Sequence, residues 1–182
     1  MLATINKEEL VQQIVEASKE LTQFSTGITN ELFFYPPVDK WSIAQNITHL
    51  TIAAKNTIPA FKLPKFIIRL YVGKPNRPSR TYDELVAKYK LKLEQGGRAG
   101  GRFIPKSILP SIGKEKILSD FAKAMYHLSA TIKAKWGDPQ LDEYIAPHPL
   151  LGKITHRELC YFTIYHIWHH LAIIKERLKE NI

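Results

Sequence analysis

Apolar residues recur along most of this chain at spacings of three and four, the pattern of helices that bury one face. Leu10, Ile14, Ala17, Leu21, Phe24 and Ile28 form the first stripe. Asn6 stands before it as an N-cap, and Glu8 and Glu9 fall in the first turn, where the helix dipole favours anions. The helix is expected to fail before Pro36-Pro37, neither of which can donate a backbone hydrogen bond. A second stripe, Ile43, Ile47, Leu50 and Ala54, follows Ser42 and Gln45, which have capping-box spacing. Trp41 is placed to pack onto the first turn of that helix, and Pro59 or Pro64 should end or kink it.

The segment GKPNRPSR (73–80) reads as a loop. Thr81 then caps a helix from Tyr82 to Glu94. QGGRAGGRFIP (95–105) reads as a flexible connection, since it lacks the lysine and the preceding strand of a phosphate loop. Both loops are expected to be mobile without ligand. Ile117, Phe121, Ala124, Leu128 and Ile132 mark a helix from about Gly113 to Trp136, stopped by Gly137-Asp138-Pro139. The stretch to Gly152 reads as irregular. Thr155 and Glu158 form another capping box and open a last helix that runs nearly to the C-terminus. Strand signals are weak. The expectation is an all-α four-helix bundle in one domain, 1–182, with one shorter additional helix and a long irregular middle segment.

Composition narrows this only a little. A chain of 182 residues with 45% hydrophobic residues can bury a core without staples. The single cysteine, Cys160, excludes an internal disulfide framework. No signal peptide and no apolar run long enough to span a bilayer is visible, so a cytoplasmic location without a membrane partner is expected. The net charge of +9 is concentrated in the middle, at Lys62, Lys65, Arg69, Lys74, Arg77, Arg80, Arg98, Arg102 and Lys106. A solvated basic face is the plainest reading, and an anionic small molecule is a second. A nucleic-acid partner is not expected, because no nucleic-acid motif accompanies the charge.

The last helix carries the chemistry. His166 and His170 lie four residues apart, about 40° around the axis, on a face shared with Leu159, Ile173 and Ile174. Imidazoles among core aliphatics need partners, and a divalent ion can bridge an i,i+4 pair. Satisfied core histidines fit the pair equally well. His49, on the second helix about 120° from its apolar stripe, is a third candidate; Gln45, Ala53 and Asn56 beside it could wall a cavity. His169 sits at the edge of the face and is a weaker candidate. Glu158 reads as a cap, Cys160 as packing, His148 as a loop-capping residue and Arg177 as a surface residue. Trp168, Ile164 and Leu171, opposite the histidines, give the helix a second apolar side and suggest a homodimer.

Two segments, PPVDKWSIAQNITHL (36–50) and HPLLGKITHRELCYFTIYHIWHHLAII (148–174), resemble the DinB superfamily, which shares its four-helix core with YfiT-like proteins, bacillithiol S-transferases and mycothiol-dependent maleylpyruvate isomerases. Trp41, Ser42, Gln45 and His49, paired with the late His166 and His170, carry the likeness; residues 60–110 match nothing in it. The resemblance implies one divalent ion, zinc or nickel, held by His49, His166 and His170. It implies a metal-dependent enzyme of the thiol S-transferase type, using a low-molecular-weight thiol against a small electrophile. A metal-dependent hydrolase and a non-catalytic metal-binding or dimerisation scaffold are the alternatives.

Overall fold

The computed structural model describes residues 5–36 and 38–180. Four long helices form the bundle: α1 (Lys7–Thr26), α3 (Ile43–Lys62), α6 (Lys114–Lys135) and α8 (His156–Glu180). Around the bundle α1 packs on α6, α6 on α3, α3 on α8 and α8 back on α1. Shorter helices α2 (Asn30–Phe34), α4 (Lys65–Tyr71), α5 (Tyr82–Glu94) and α7 (Gln140–Glu143) lie outside this core, α5 against α8. The stripes read from the sequence all reach the interior: Leu10, Ile14 and Leu21, Ile47 and Leu50, Phe121, Leu128 and Ile132 are buried to 0–1% exposure.

Capping decides where the helices begin. The boxes at Asn6/Glu9, Ser42/Gln45 and Thr81/Glu84 are closed in both directions. Two boundaries differ from expectation. The first helix ends at Thr26 rather than running to the prolines, because Gly27 releases the chain and Thr29 caps the separate α2 through the Leu32 N–H. Pro37 lies outside the described residues. α3 ends where one of its two prolines was expected to end it: it continues through Pro59, which costs it one internal bond, and stops at Leu63, which is held extended by the Pro64 that follows. The stretch expected to be irregular contains an antiparallel hairpin, β1 (Ile145–His148) and β2 (Gly152–Thr155), paired Ile145 to Thr155 and His148 to Gly152. Strands of four residues leave little periodicity to read.

Part of each loop expected to be mobile is tied down: residues 77–80 in one, and Gly96 and Gly97 in the other. Glu158 is fully buried and accepts from Arg77 at 2.8 and 2.9 Å, from the Arg80 backbone at 2.9 Å and guanidinium at 3.1 Å, and from the Thr155 N–H at 2.9 Å. It is therefore a helix cap and also the anchor for residues 77–80. Its neighbour Arg157, 1% exposed, donates to Asp142 at 2.8 Å, to the Asp138 carbonyl at 2.9 Å and to the Ile5 carbonyl at 2.6 Å. These bonds fasten the start of α8 to α7, to the loop before it and to the chain just ahead of α1. The double glycine after α5 closes that helix: the Gly97 N–H reaches the Lys92 carbonyl at 2.8 Å and the Gly96 N–H the Leu93 carbonyl at 3.0 Å. Gly96 has φ +88°, and a side chain at Gly97 would stand 2.6 Å from the Lys92 oxygen.

Ile164 and Leu171, which suggested a dimer surface, are buried within the chain at 2% and 1% exposure, leaving Trp168 at 41%. The second apolar side of α8 is explained by its central place between α1, α3 and α5. Among the described residues no helix is long and apolar enough to cross a membrane.

Candidate metal centre

The antiparallel approach of α3 and α8 sets His49 opposite the pair His166 and His170. All three side chains are buried, at 6%, 4% and 6% exposure. His166 Nε2 lies 3.1 Å from His49 Nε2 and 3.1 Å from His170 Nε2. One nitrogen from each ring falls within 4.8 Å of the others, and the three could hold a metal ion. His169 is outside this group, half-buried, with its ring against Tyr165 and Tyr89.

The hydrogen bonds behind the rings fix what the nitrogens offer. His49 Nδ1 lies 2.7 Å from the Phe103 carbonyl oxygen, which can only accept, so Nδ1 carries the proton. His170 Nδ1 lies 2.7 Å from Asn46 Oδ1. The Asn46 amide nitrogen donates to the carbonyls of Trp41 and Ser42 at 3.3 and 2.8 Å, which orients its oxygen towards His170. In the neutral rings Nε2 of both His49 and His170 is therefore an acceptor facing His166. A single His166 N–H can satisfy one of them; a cation between the three satisfies all. Nitrogens about 3.3 Å apart are what a tetrahedral ion with metal–nitrogen bonds near 2.05 Å requires. The donor set fits a divalent transition ion.

Electrostatics favours the ligating state. Burial lowers the pKa of all three histidines, well below the usual value for His166 and His170, where the neighbouring imidazoles add to it; the Phe103 bond opposes the shift at His49. The rings are neutral at neutral pH, as metal ligands must be.

Aromatic rings wall the centre. Trp41 lies 5.0 Å from His49 and stacks parallel to His170 at 6.5 Å, so it packs on the histidines rather than only on its own helix turn. Phe162 stacks on His166 at 4.8 Å, with His148 behind it at 4.2 Å. His148 stays out of the cluster: its Nδ1 accepts the Leu150 and Leu151 N–H groups at 3.2 Å and shapes the hairpin turn. Cys160 is 1% exposed, and burial pushes its thiol up to about 12, so it is packing and no nucleophile. Arg177 is half-buried, two turns beyond His170.

The superfamily profile of DinB matches residues 13–174. The chain belongs to the DinB superfamily. No curated protein matches it by sequence. Among solved structures this DinB chain is similar to YfiT from Bacillus subtilis, described as a probable metal-dependent hydrolase with an unusual four-helix bundle topology (TM-score 0.59, 19% identity, 97% of this chain and 87% of that one covered). It is also similar to the colibactin self-resistance protein ClbS, solved in complex with a double-stranded DNA (TM-score 0.57, 16% identity, 97% and 96% covered). At these identities the likeness carries the fold.

Sequence reasoning missed Asn46 and Phe103. Asn46 had a signal, because it falls within the apolar stripe of α3, between Ile43 and Leu50, where a polar residue needs a reason. The Phe103 carbonyl had none, since a backbone oxygen 54 residues away leaves no trace in the pattern.

Proposed function

We propose that this DinB protein is a metal-dependent enzyme that holds one divalent transition ion, zinc or nickel, through His49, His166 and His170. The observation that carries the reading is the convergence of three Nε2 atoms whose tautomers are set by Phe103 and Asn46. Bound there, the ion would act as a Lewis acid that lowers the pKa of an adjacent thiol or water. Three neutral ligands leave its charge uncompensated and a position free for substrate.

Within that reading, transfer of a low-molecular-weight thiol to a small electrophile is favoured. The group that could hold the ion contains no carboxylate, and Glu158, two turns away, is occupied by Arg77 and Arg80. A cation held there would lower the pKa of an adjacent thiol enough for the proton to pass to water, with no side-chain base required. Cleavage of an amide needs a proton donor for the leaving group as well. Trp41 and Phe162 keep water from the buried sides of the rings. Arg102, exposed and next in sequence to the Phe103 that meets His49, with its guanidinium 5.3 Å from the Phe103 ring, is a cation that could meet a carboxylate on the thiol or the substrate. Hydrolysis is the second reading, supported by the description of YfiT.

Reconstitution with zinc or nickel, followed by turnover assays with and without small thiols, separates these. Metal-dependent consumption of an electrophile only when thiol is present supports transfer. Metal-dependent cleavage of an ester or amide without thiol supports hydrolysis. Metal binding with neither activity leaves the scaffold reading.

A further inference from the structure

Helix α4 carries a surface that the metal centre does not use. Phe66, Leu70 and Tyr71 are 71%, 72% and 80% exposed, and Leu63 just before the helix is 44% exposed. Phe66 and Leu70, four residues apart, stand one above the other, while Ile68 anchors the helix in the core at 2% exposure. Lys62, Arg69 and Lys74 are exposed in and beside the helix, Lys65 lies over the Trp136 ring and donates to the Lys135 carbonyl at 3.2 Å, and no Asp or Glu occurs between Lys40 and Tyr82. Lys62, Lys65 and Lys135 also line a cleft of about 380 Å³ beside Leu63. Lys153 reaches the patch from β2, donating to the Val72 carbonyl at 2.6 Å. Glu143 meets Arg69 at its edge at 3.6 Å.

Charge and apolarity together select the partner. Two copies meeting through this patch would press these cations against their counterparts with little but Glu143 to compensate. Duplex nucleic acid would accept the cations but give Phe66, Leu70 and Tyr71 little to bury against. An anionic bilayer surface takes both, with apolar side chains at the acyl boundary and lysines among the headgroup phosphates.

We infer that α4 docks the protein on an anionic lipid surface, with the lysine-lined cleft facing the phosphates. The absence of a membrane-spanning helix is no obstacle, because docking at the surface needs none. Lys62 lies thirteen residues along α3 from His49, about 20 Å at 1.5 Å per residue, so docking does not cover the histidines. The inference is independent of the metal reading.

The test is co-sedimentation of the full chain with vesicles of phosphatidylcholine mixed with phosphatidylglycerol, beside phosphatidylcholine alone. Binding is expected to the mixed vesicles only and to weaken with salt. The exposed double variant Phe66→Ser/Leu70→Ser should lose more than about tenfold in partitioning, and Lys62→Gln and Lys74→Gln about fivefold each, with unchanged circular dichroism. No binding to the mixed vesicles overturns the inference. So does binding that the double variant retains. Light scattering that shows a wild-type dimer and a monomeric double variant also overturns it, since a second copy would then cover the patch.

Discussion

Two buried clusters of ionisable side chains sit on α8 about two turns apart, built on opposite plans. Around Glu158 every contact joins a donor to an acceptor: burial alone would raise its pKa, and the bonds from Arg77, the Arg80 backbone and Thr155 outweigh that and hold it below the usual value. Around His166 acceptors converge on one another, and burial keeps the rings uncharged. A saturated cluster has nothing left to offer a ligand, so it holds the fold together. A cluster whose lone pairs meet is incomplete until a cation arrives. Ionisable residues in a core thus point to structure when their bonds close among themselves and to chemistry when they do not.

The contrast is sharpest in stability. Glu158→Ala should destabilise the protein by about 3–5 kcal/mol, because it strands two guanidinium groups and the Thr155 N–H. His166→Gln in the metal-free protein should cost about 1 kcal/mol, the ordinary size of a single substitution. Urea melts of the two variants check this, and equal losses would erase the distinction between the clusters.

Acid should strain the histidine-rich side first. Burial sets His148 to about 4, and His49, His156, His166 and His170 are lowered as well. Below about pH 6.5 the unfolded chain therefore binds more protons than the folded one. Stability should fall as pH drops from there, in the case of His148 down to about 4, by about 1.4 kcal/mol per pH unit for each proton taken up. The lowered pKa of Glu158 adds loss in the same direction at lower pH. Thermal melts of metal-free protein from pH 8 to pH 4 measure it. A flat profile would mean that the histidines are hydrated.

A smaller effect separates the support from the ligands. Asn46→Ala removes the acceptor behind His170 but no ligand, so metal affinity should drop about 10–100-fold without loss of the site. The smallest effect concerns the loop. The Arg80 amide, bonded to buried Glu158, should show slow hydrogen exchange, while the amide of exposed Gly100 should exchange fast. Fast exchange at Arg80 would restore the mobile-loop expectation.

Much of this was legible in the chain. Caps and stripes placed α3, α5, α6 and α8 to within a residue or so, because those signals are local. The three histidines were legible as candidates since each sits on a long helix. Of the prolines read as helix ends, Pro64 does stop α3, which passes through Pro59, while α1 stops earlier than its prolines, at Thr26. Arg77 and Arg80 read as a mobile basic loop because their partner, Glu158, is about 80 residues on. Short elements such as α4 and the β1–β2 hairpin exist through tertiary packing of a few residues, Ile68 and Ile154 among them, and carry little pattern of their own.

The most direct test of the central claim is a titration of metal-free protein with zinc and nickel, wild type beside His49→Ala, His166→Ala, His170→Ala and His169→Ala. One equivalent should bind to the wild type and to the His169 variant with similar affinity, and each of the other three should lose affinity sharply, with magnesium binding far more weakly to all. Wild-type affinity in the His49, His166 and His170 variants, or loss confined to His169→Ala, would contradict the assignment.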